Sequence, residues 1–159
     1  MGTTKERGVY KEKIKQALFS NKDICKMLLG DTSDITTGHK AKLFNEYVKS
    51  HLFIDGALDK QGTYIFFDVL VKNVSPQIQN CKVVLYAICH RDILEDYYKE
   101  GYYGNRADVL SQMVEDCLVC NEKVASSFGI GKITLDSIDI YNSNDYYGCV
   151  MTLSAPEFR

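Results

Sequence analysis

Two long apolar segments joined by a short polar connection restrict the fold of this chain more than any other feature. They cover residues 64–74 and 81–90, and the sequence SPQIQN lies between them. Both segments are rich in Val, Ile, Phe and Tyr, which favour the pleated surface of a β-sheet. The connection is too short for a crossover helix, so the sequence predicts two neighbouring antiparallel strands.

The second of these segments is apolar on both sides. Successive side chains of a strand point to opposite faces of the sheet. One face carries Val83, Leu85, Ala87 and Cys89, and the other carries Val84, Tyr86, Ile88 and His90. A strand with two apolar faces is typical of the centre of a sheet that is covered on both sides.

The N-terminal region, residues 5–29, is predicted to form two helices. Apolar residues recur at helical spacing over residues 5–19 and 23–29, Asn21 is a suitable N-cap, and Gly30 is a suitable stop. Residues 31–40 are rich in turn-forming side chains. Residues 40–51 fit either a short helix or an extended arm, and turn residues on either side let residues 52–58 form a strand.

The main helix is predicted at residues 106–121, with Asn105 as its N-cap. Its apolar stripe consists of Ala107, Leu110, Met113, Val114, Cys117 and Leu118. Residues 126–131 are a predicted loop. Strands are expected at 132–141 and 146–153, separated by a turn, and residues 154–159 are expected to form a loose tail.

The first of these strands carries a change of phase. Ile133 and Leu135 alternate on one face, but Ile138 and Ile140 fall on the other. Such a change indicates a β-bulge near Asp136 and Ser137.

These elements predict an α+β fold in a single domain of 159 residues. Their order is two helices, a helical or extended segment, two strands, the main helix and two strands. The core, residues 63–153, is a mixed or antiparallel sheet of four or more strands with the helix 106–121 on one face. The N-terminal helices are expected on the other face or at an edge.

Charge and apolar content exclude several classes of protein. The net charge is −2, which gives no overall attraction to nucleic acid. No apolar run approaches the ~20 residues that a membrane-spanning helix needs. The N-terminus lacks the apolar segment of a secretory signal, so the six cysteines are expected to be reduced and mostly buried.

The sequence CLVC places Cys117 and Cys120 three residues apart on the main helix. A structural zinc site needs four ligands, and the chain has no second pair of this kind. Cys89 and His90 are adjacent in a strand, so their side chains point to opposite faces and cannot share one ion. We therefore expect no metal, no cofactor and no catalytic residues, although a Cys/His site formed by the fold stays an open alternative.

Tyrosines concentrate in two places between the predicted elements. They are Tyr97, Tyr98, Tyr102 and Tyr103 in the connection before the main helix, and Tyr146 and Tyr147 before the last strand. Tyrosine is favoured at protein interfaces because its ring is buried while its hydroxyl finds a partner. These six residues are candidate interface residues, and the alternative is that they cap the edges of the sheet.

The whole pattern resembles the tail-terminator, or tail-completion, proteins of tailed bacteriophages. The resemblance is carried by helices ending in ICKMLLG, the extended region LFIDGALDKQGTYIFFDVLV, the strand CKVVLYAICHRDIL, the helix NRADVLSQMVEDCL and the closing hairpin GIGKITLDSIDIYNSNDYYGCVMTLS. It covers nearly the whole chain and rests on the order of elements.

This resemblance implies a non-enzymatic neck protein of the virion, made in the cytoplasm of a host bacterium. Such proteins form a closed ring, commonly a hexamer, that caps the tail tube and joins it to the head connector. DNA passes through the lumen without specific binding, and the acidic balance of this chain suits that role. The polar loops at 31–40, 54–62 and 95–105 suit contacts with two different partners.

Three alternatives stay open on the sequence. The first is another phage part, a head–tail connector or a tail tube subunit, which would stack into long tubes. The second is a small metal-binding or catalytic protein that uses Cys117, Cys120 and His90. The third is a module that binds host proteins and has no place in the virion.

Overall fold

The chain folds into one β-sheet with its helices packed against it. In this computed structural model, residues 3–30, 37–52, 61–73, 78–125 and 132–158 are described. The helices are α1 (Thr3–Ser20), α2 (Lys22–Leu29), α3 (Thr37–Tyr47), α4 (Arg106–Glu115) and α5 (Glu122–Ala125). The strands are β1 (Val48–Lys49), β2 (Thr63–Asn73), β3 (Ile78–His90), β4 (Thr134–Asn142) and β5 (Tyr146–Phe158).

In the described residues the strands form a five-stranded mixed sheet in the order β1-β2-β3-β5-β4. The predicted antiparallel pairing of the two central segments is confirmed, with Phe67 opposite Leu85. β5 pairs antiparallel with both β3 and β4, and the two-residue β1 runs parallel to β2. The predicted α+β class, and the order of helices before strands, are therefore confirmed.

One hydrophobic core joins the helices to one face of the sheet. It includes Ile14 and Leu18 of α1, Phe67 of β2, Leu85 of β3 and Leu110 of α4, all almost fully buried. All six residues of the predicted apolar stripe of the main helix are buried, and all of them except Ala107 belong to this core. Burying a large apolar side chain contributes about 1.5–3 kcal/mol, so this layer is the larger source of hydrophobic stabilisation in the described fold.

The N-terminal helices lie on the same face as α4, so the expectation that they cover the other face is wrong. Their buried residues belong to the same core as those of α4. α1 also reaches the free edge of β2, where Arg7 donates a hydrogen bond from its Nε to the carbonyl oxygen of Val69 at 2.6 Å. The expected edge position is therefore correct for α1.

Among the described residues, the opposite face of the sheet is buried at one end only. There Tyr64, Phe66, Ile88 and Tyr146 form a second cluster, against which Tyr47, Leu52, Tyr86 and Tyr141 pack. Further along, Lys82 is exposed and Val84 is half-buried. The prediction that β3 is covered on both faces therefore holds at the end that contains Ile88 and fails at the other.

Local capping signals in the sequence are confirmed. Asn21 accepts a hydrogen bond from the Ile24 amide at the start of α2, and Gly30 ends that helix with a positive φ of 75°. At α4, the side chains of Asn105 and Asp108 each bond to the other's backbone amide, forming a capping box. The predicted helix 106–121 is α-helical to Glu115 and then forms a π-helical turn, Asp116–Cys120.

Several predicted boundaries need correction. β5 does not end at 153 but continues to Phe158, which pairs with Ile78, so residues 154–158 are not a loose tail. α3 begins at Thr37, inside the predicted loop, and the segment then becomes extended as β1. The predicted loops at 31–36 and 126–131 and the possible strand at 53–58 lie outside the described residues, as does Arg159.

The predicted bulge in the penultimate strand is confirmed by a register shift between Leu135 and Ser137. Leu135 lies opposite Leu153, and Ile138 lies opposite Met151. The extra residue therefore returns Ile138 and Ile140 to the face that carries Leu135, which is the face of the helices.

Candidate assembly surface

The two groups of tyrosines lie at the same end of the sheet. Tyr146 is opposite His90, the last residue of β3, and the amide of Arg91 donates to the carbonyl oxygen of Asp145 at 2.8 Å. The connection that carries Tyr97–Tyr103 begins at this point. The fold therefore brings the two predicted groups to one region, although their side chains have different roles.

Two of the six candidate interface tyrosines are strongly exposed. Tyr98 is 84% exposed and Tyr103 is 79% exposed. Tyr147 is half-buried, but Tyr146 is only 8% exposed and belongs to the second cluster. Tyr146 is therefore a core residue of the folded chain, and it is removed from the predicted contact surface.

Tyr97 and Tyr102 hold the connection in place. The guanidinium of Arg106 lies over the ring of Tyr97, 4.8 Å from its centroid. Burial raises the pKa of Tyr102, and the Asp116 carboxylate raises it further through its negative charge and its hydrogen bond to the phenol. Both rings also pack against the main core, so these two tyrosines stabilise the loop that presents Tyr98 and Tyr103.

Polar contacts fix this connection further. Lys99 forms an ion pair with Asp23 of α2 at 2.9 Å, and the amide of Tyr103 donates to the side chain of Gln112 at 3.1 Å. Arg106 donates to the carbonyl oxygen of Ile93 at 3.0 Å. Because α2 and α4 both anchor the connection, its exposed tyrosines have defined positions.

The strand β4 forms an edge of the sheet and carries exposed apolar side chains. Ile138 is 54% exposed and Ile140 is 72% exposed. A cleft of about 240 Å³ separates Ile138 from α4, and it is lined by Tyr103, Asp108, Ser111, Gln112, Glu115 and Cys149. An edge strand with unpaired backbone groups and exposed isoleucines is a surface suited to contact with another chain.

The opposite edge of the sheet is closed. β1 pairs with the start of β2, and beyond β1 the Val69 carbonyl oxygen accepts from Arg7 while the Val69 amide donates to Asp68 at 2.8 Å. Asp68 also forms ion pairs with Arg7 at 2.6 Å and Lys11 at 2.9 Å. These contacts satisfy the Val69 backbone, which an incoming strand would otherwise use, so the two edges of the sheet have different properties.

The thiols lack the features of a nucleophile or a metal ligand. Burial raises the pKa of Cys117 to about 11 and that of Cys81 to about 12. Cys117 donates to the carbonyl oxygen of Ala17, and Cys25 donates to that of Phe19. These carbonyls belong to the last turn of α1, where no helical amide follows, so both thiols act as caps.

Cys120 and His90 do not form a site with Cys117. Cys120 is exposed while Cys117 is buried, and His90 lies beside Tyr146 with ring centroids 5.3 Å apart. His90 accepts a hydrogen bond from the amide of Asp92 at its Nδ1. In the described part of the chain, no group of three or more His, Cys, Asp or Glu side chains is arranged to hold a metal ion.

Sequence reasoning missed Ile138 and Ile140 as surface residues. On the sequence alone, their place in the strand predicts only the bulge, and they are not among the candidate interface residues. The available signal was the combination of the bulge with acidic residues, which is common in edge strands.

The fold and this surface define a small α+β protein whose sheet, over the described ranges, has one closed and one open edge. The chain belongs to the YomW family, whose model matches residues 21–155. This family is phage-associated, which confirms the resemblance to phage proteins at that level. None of the curated proteins matches the chain. Among the described residues, no helix combines the length and apolar character required to cross a lipid bilayer.

Proposed function

We propose that this protein is a tail terminator, a structural subunit that assembles into a closed ring between the tail tube and the head connector of a phage particle. Membership of a phage-associated family supports the proposal, as does the resemblance in element order. The observation that carries it is the open β4 edge with its two exposed isoleucines.

A closed ring needs two different surfaces on each subunit, because each contact joins one surface to the other. The two edges of this sheet meet that need. The β2 edge is blocked by Arg7, Asp68 and β1, whereas β4 is open in the described residues. This asymmetry favours contacts that repeat head to tail.

The proposal includes no chemical step. The buried thiols are in their neutral form at neutral pH because burial raises their pKa, and Cys117 is engaged with Ala17. The exposed Tyr98 and Tyr103 stand on an anchored loop and are the residues we assign to contacts with the tail tube or the head connector. DNA then passes through the lumen without specific binding.

The test is electron microscopy and native mass spectrometry of the purified protein, together with mass spectrometry of intact virions. A tail terminator is expected to form discrete closed rings and to be present in few copies in each particle. Long tubes would instead identify a tail tube subunit. A protein that stays monomeric at high concentration and is missing from virions would contradict the proposal.

A further inference from the structure

We infer that neighbouring subunits contact each other head to tail, with the acidic β4 edge of one seated in a lysine-flanked groove between α1 and α3 of the next. This inference rests on the proposed ring and names its interface. The occupant of the groove is a second copy of this chain.

The charge of the chain is strongly divided along its sequence. Residues 1–52 contain ten Lys and Arg against six Asp and Glu, a net of +4. Residues 91–145 contain five against eleven, a net of −6. The remaining two segments are each neutral, so the overall charge of −2 conceals two regions of opposite sign.

The fold places the basic segment α3–β1 and the acidic strand β4 at opposite edges of the sheet, while other parts of the two regions touch, as at the Lys99–Asp23 ion pair. α3 leads directly into β1, which lies at one end of the strand order, and α1 lies along the neighbouring β2. β4 lies at the other end. A contact between opposite edges repeats in one direction, and it gives a ring when the rotation between subunits closes.

The groove on the basic side is apolar with polar margins. It has a volume of about 160 Å³ and is lined by Lys15, Gln16, Phe19, Ala41, Phe44 and Asn45. Phe19 and Phe44 meet edge to face, with ring centroids 5.1 Å apart. The groove is shallow and open to solvent, and its volume is sufficient for one branched aliphatic side chain.

Two lysines beside this groove, Lys15 and Lys49, repel each other. Burial, and then the positive charge of Lys49, lowers the pKa of Lys15. Lys49 donates to a carbonyl oxygen, that of Asn45, at 2.9 Å. Two lysines close enough to repel favour a partner that brings carboxylates to them.

The β4 edge has the complementary pattern. Ile140 is 72% exposed and is adjacent in the chain to the exposed Asp139, while Ile138 shares its cleft with Glu115. An isoleucine seated over the contacting rings of Phe19 and Phe44 brings Glu115, which borders the same cleft as Ile138, toward Lys15 and Lys49. Asp139 projects from the other face of β4 and adds negative charge at the margin of the contact. The contact thus combines apolar burial at its centre with opposite charges at its margin, as is usual for protein interfaces.

The experiment reverses the charge on each surface separately. One variant carries Lys15→Glu with Lys49→Glu, and the other carries Glu115→Lys with Asp139→Lys. Self-association of each is expected to weaken about 100-fold or more, because like charges then face each other in every contact. Mixing the two variants is expected to restore rings of even number in which they alternate, since opposite charges meet again at both kinds of contact.

Matched controls separate this contact from effects of net charge. Lys5→Glu with Lys22→Glu changes the net charge equally at exposed positions outside the groove, and it is expected to leave assembly unchanged. Circular dichroism verifies that each variant is folded. If a reversal unfolds the chain, Lys15→Gln with Lys49→Gln replaces it, and this neutral variant is also expected to weaken assembly.

The outcomes distinguish the interface from the proposed function. If both charge-reversed variants still form the rings seen for the wild type, this contact is wrong, and the proposed ring is unaffected. Loss of assembly in the control pair as well would also overturn it, since net charge would then be the cause. A monomeric wild-type protein would overturn the contact and the proposed ring together.

Discussion

Among the described glycines, Gly148 is the one at which an added Cβ atom would come closest to neighbouring backbone atoms. A Cβ atom at this position would lie 2.7 Å from the Cα of Ile88 and closer still to the carbonyl oxygen of Ala87. Both atoms belong to the backbone of the central strand β3, which cannot move without disturbing its two neighbours. We expect Gly148→Ala to lower the free energy of unfolding by about 1–3 kcal/mol, the usual cost of overpacking, as measured by urea denaturation.

Gly8 offers a matched control for this substitution. It lies in α1, and a Cβ atom there would meet nothing within 4 Å. Gly8→Ala is expected to raise the free energy of unfolding by about 0.5–1 kcal/mol, because alanine loses less backbone entropy in a helix. Equal effects of the two substitutions would show that the close approach at Gly148 has no energetic consequence.

The six thiols differ sharply in their accessibility. Cys120 is exposed and the other five are buried. Burial, with the nearby Asp116 and Glu115 carboxylates, raises the pKa of Cys120, so even this thiol is expected to react slowly. Mass spectrometry after iodoacetamide treatment at neutral pH is expected to show one modified thiol in the native protein and six after denaturation.

The variant Cys120→Ser provides the control for this measurement. It is expected to remove the modification seen in the native protein and to leave five modified thiols after denaturation. Rapid modification of Cys117 in the native protein would contradict its assignment as a buried cap of α1, and it would favour the Cys/His alternative.

At the scale of elements, the free edge of β2 is protected by a charged network. Burial acts to raise the pKa of Asp68, but the hydrogen bonds from Lys11 and the Val69 amide and the charges of Lys11 and Arg7 outweigh it, so the pKa is lowered. A lowered folded-state pKa stabilises the fold above the ordinary value of aspartate, about 3.9. That contribution is lost as the pH falls through the folded-state value.

Asp68→Asn therefore has an effect that depends on pH. At pH 7 the variant is expected to be less stable by about 1 kcal/mol, since partly exposed ion pairs each contribute no more than that. The difference from wild type is expected to shrink below about pH 4, where the carboxylate becomes protonated. Thermal denaturation at both pH values measures this difference, and Glu12→Gln, which removes an exposed carboxylate of α1, serves as the matched control and is expected to change stability by less than about 0.5 kcal/mol.

The elements that the sequence predicted correctly are those with local signals. Asn21, Gly30 and Asn105 mark helix ends through their own backbone contacts, and the phase change after Leu135 marks the bulge. Such signals depend on neighbours in the chain, so no tertiary contact is needed to interpret them. The same holds for the apolar alternation that defined β3.

The features that the sequence did not predict depend on contacts between residues that are far apart in the chain. β5 continues through Pro156 because β4 pairs with β5 only as far as Ser154, so no described strand pairs with that side of β5 at the proline. The burial of Tyr146 depends on Tyr64, with ring centroids 6.1 Å apart, and that of α1 depends on a shared core with α4. The periodicity of one segment carries no information about which surface covers it.

At the scale of the whole molecule, the separation of charge predicts how assembly responds to salt. Residues 1–52 carry a net of +4 and residues 91–145 carry −6, and the basic segment α3–β1 and the acidic strand β4 lie at opposite edges of the sheet. Raising NaCl from about 0.1 M to about 1 M shortens the Debye length from about 10 Å to about 3 Å, which weakens attraction between exposed charges. Sedimentation velocity is expected to show rings dissociating over this range at fixed protein concentration.

The variant Lys15→Gln with Lys49→Gln is the control for this salt dependence. It is expected to assemble more weakly at low salt and to respond less to added salt. Association that strengthens with salt in both proteins would instead mean that apolar burial of Ile138 and Ile140 dominates the contact, because salt favours the removal of apolar surface from water.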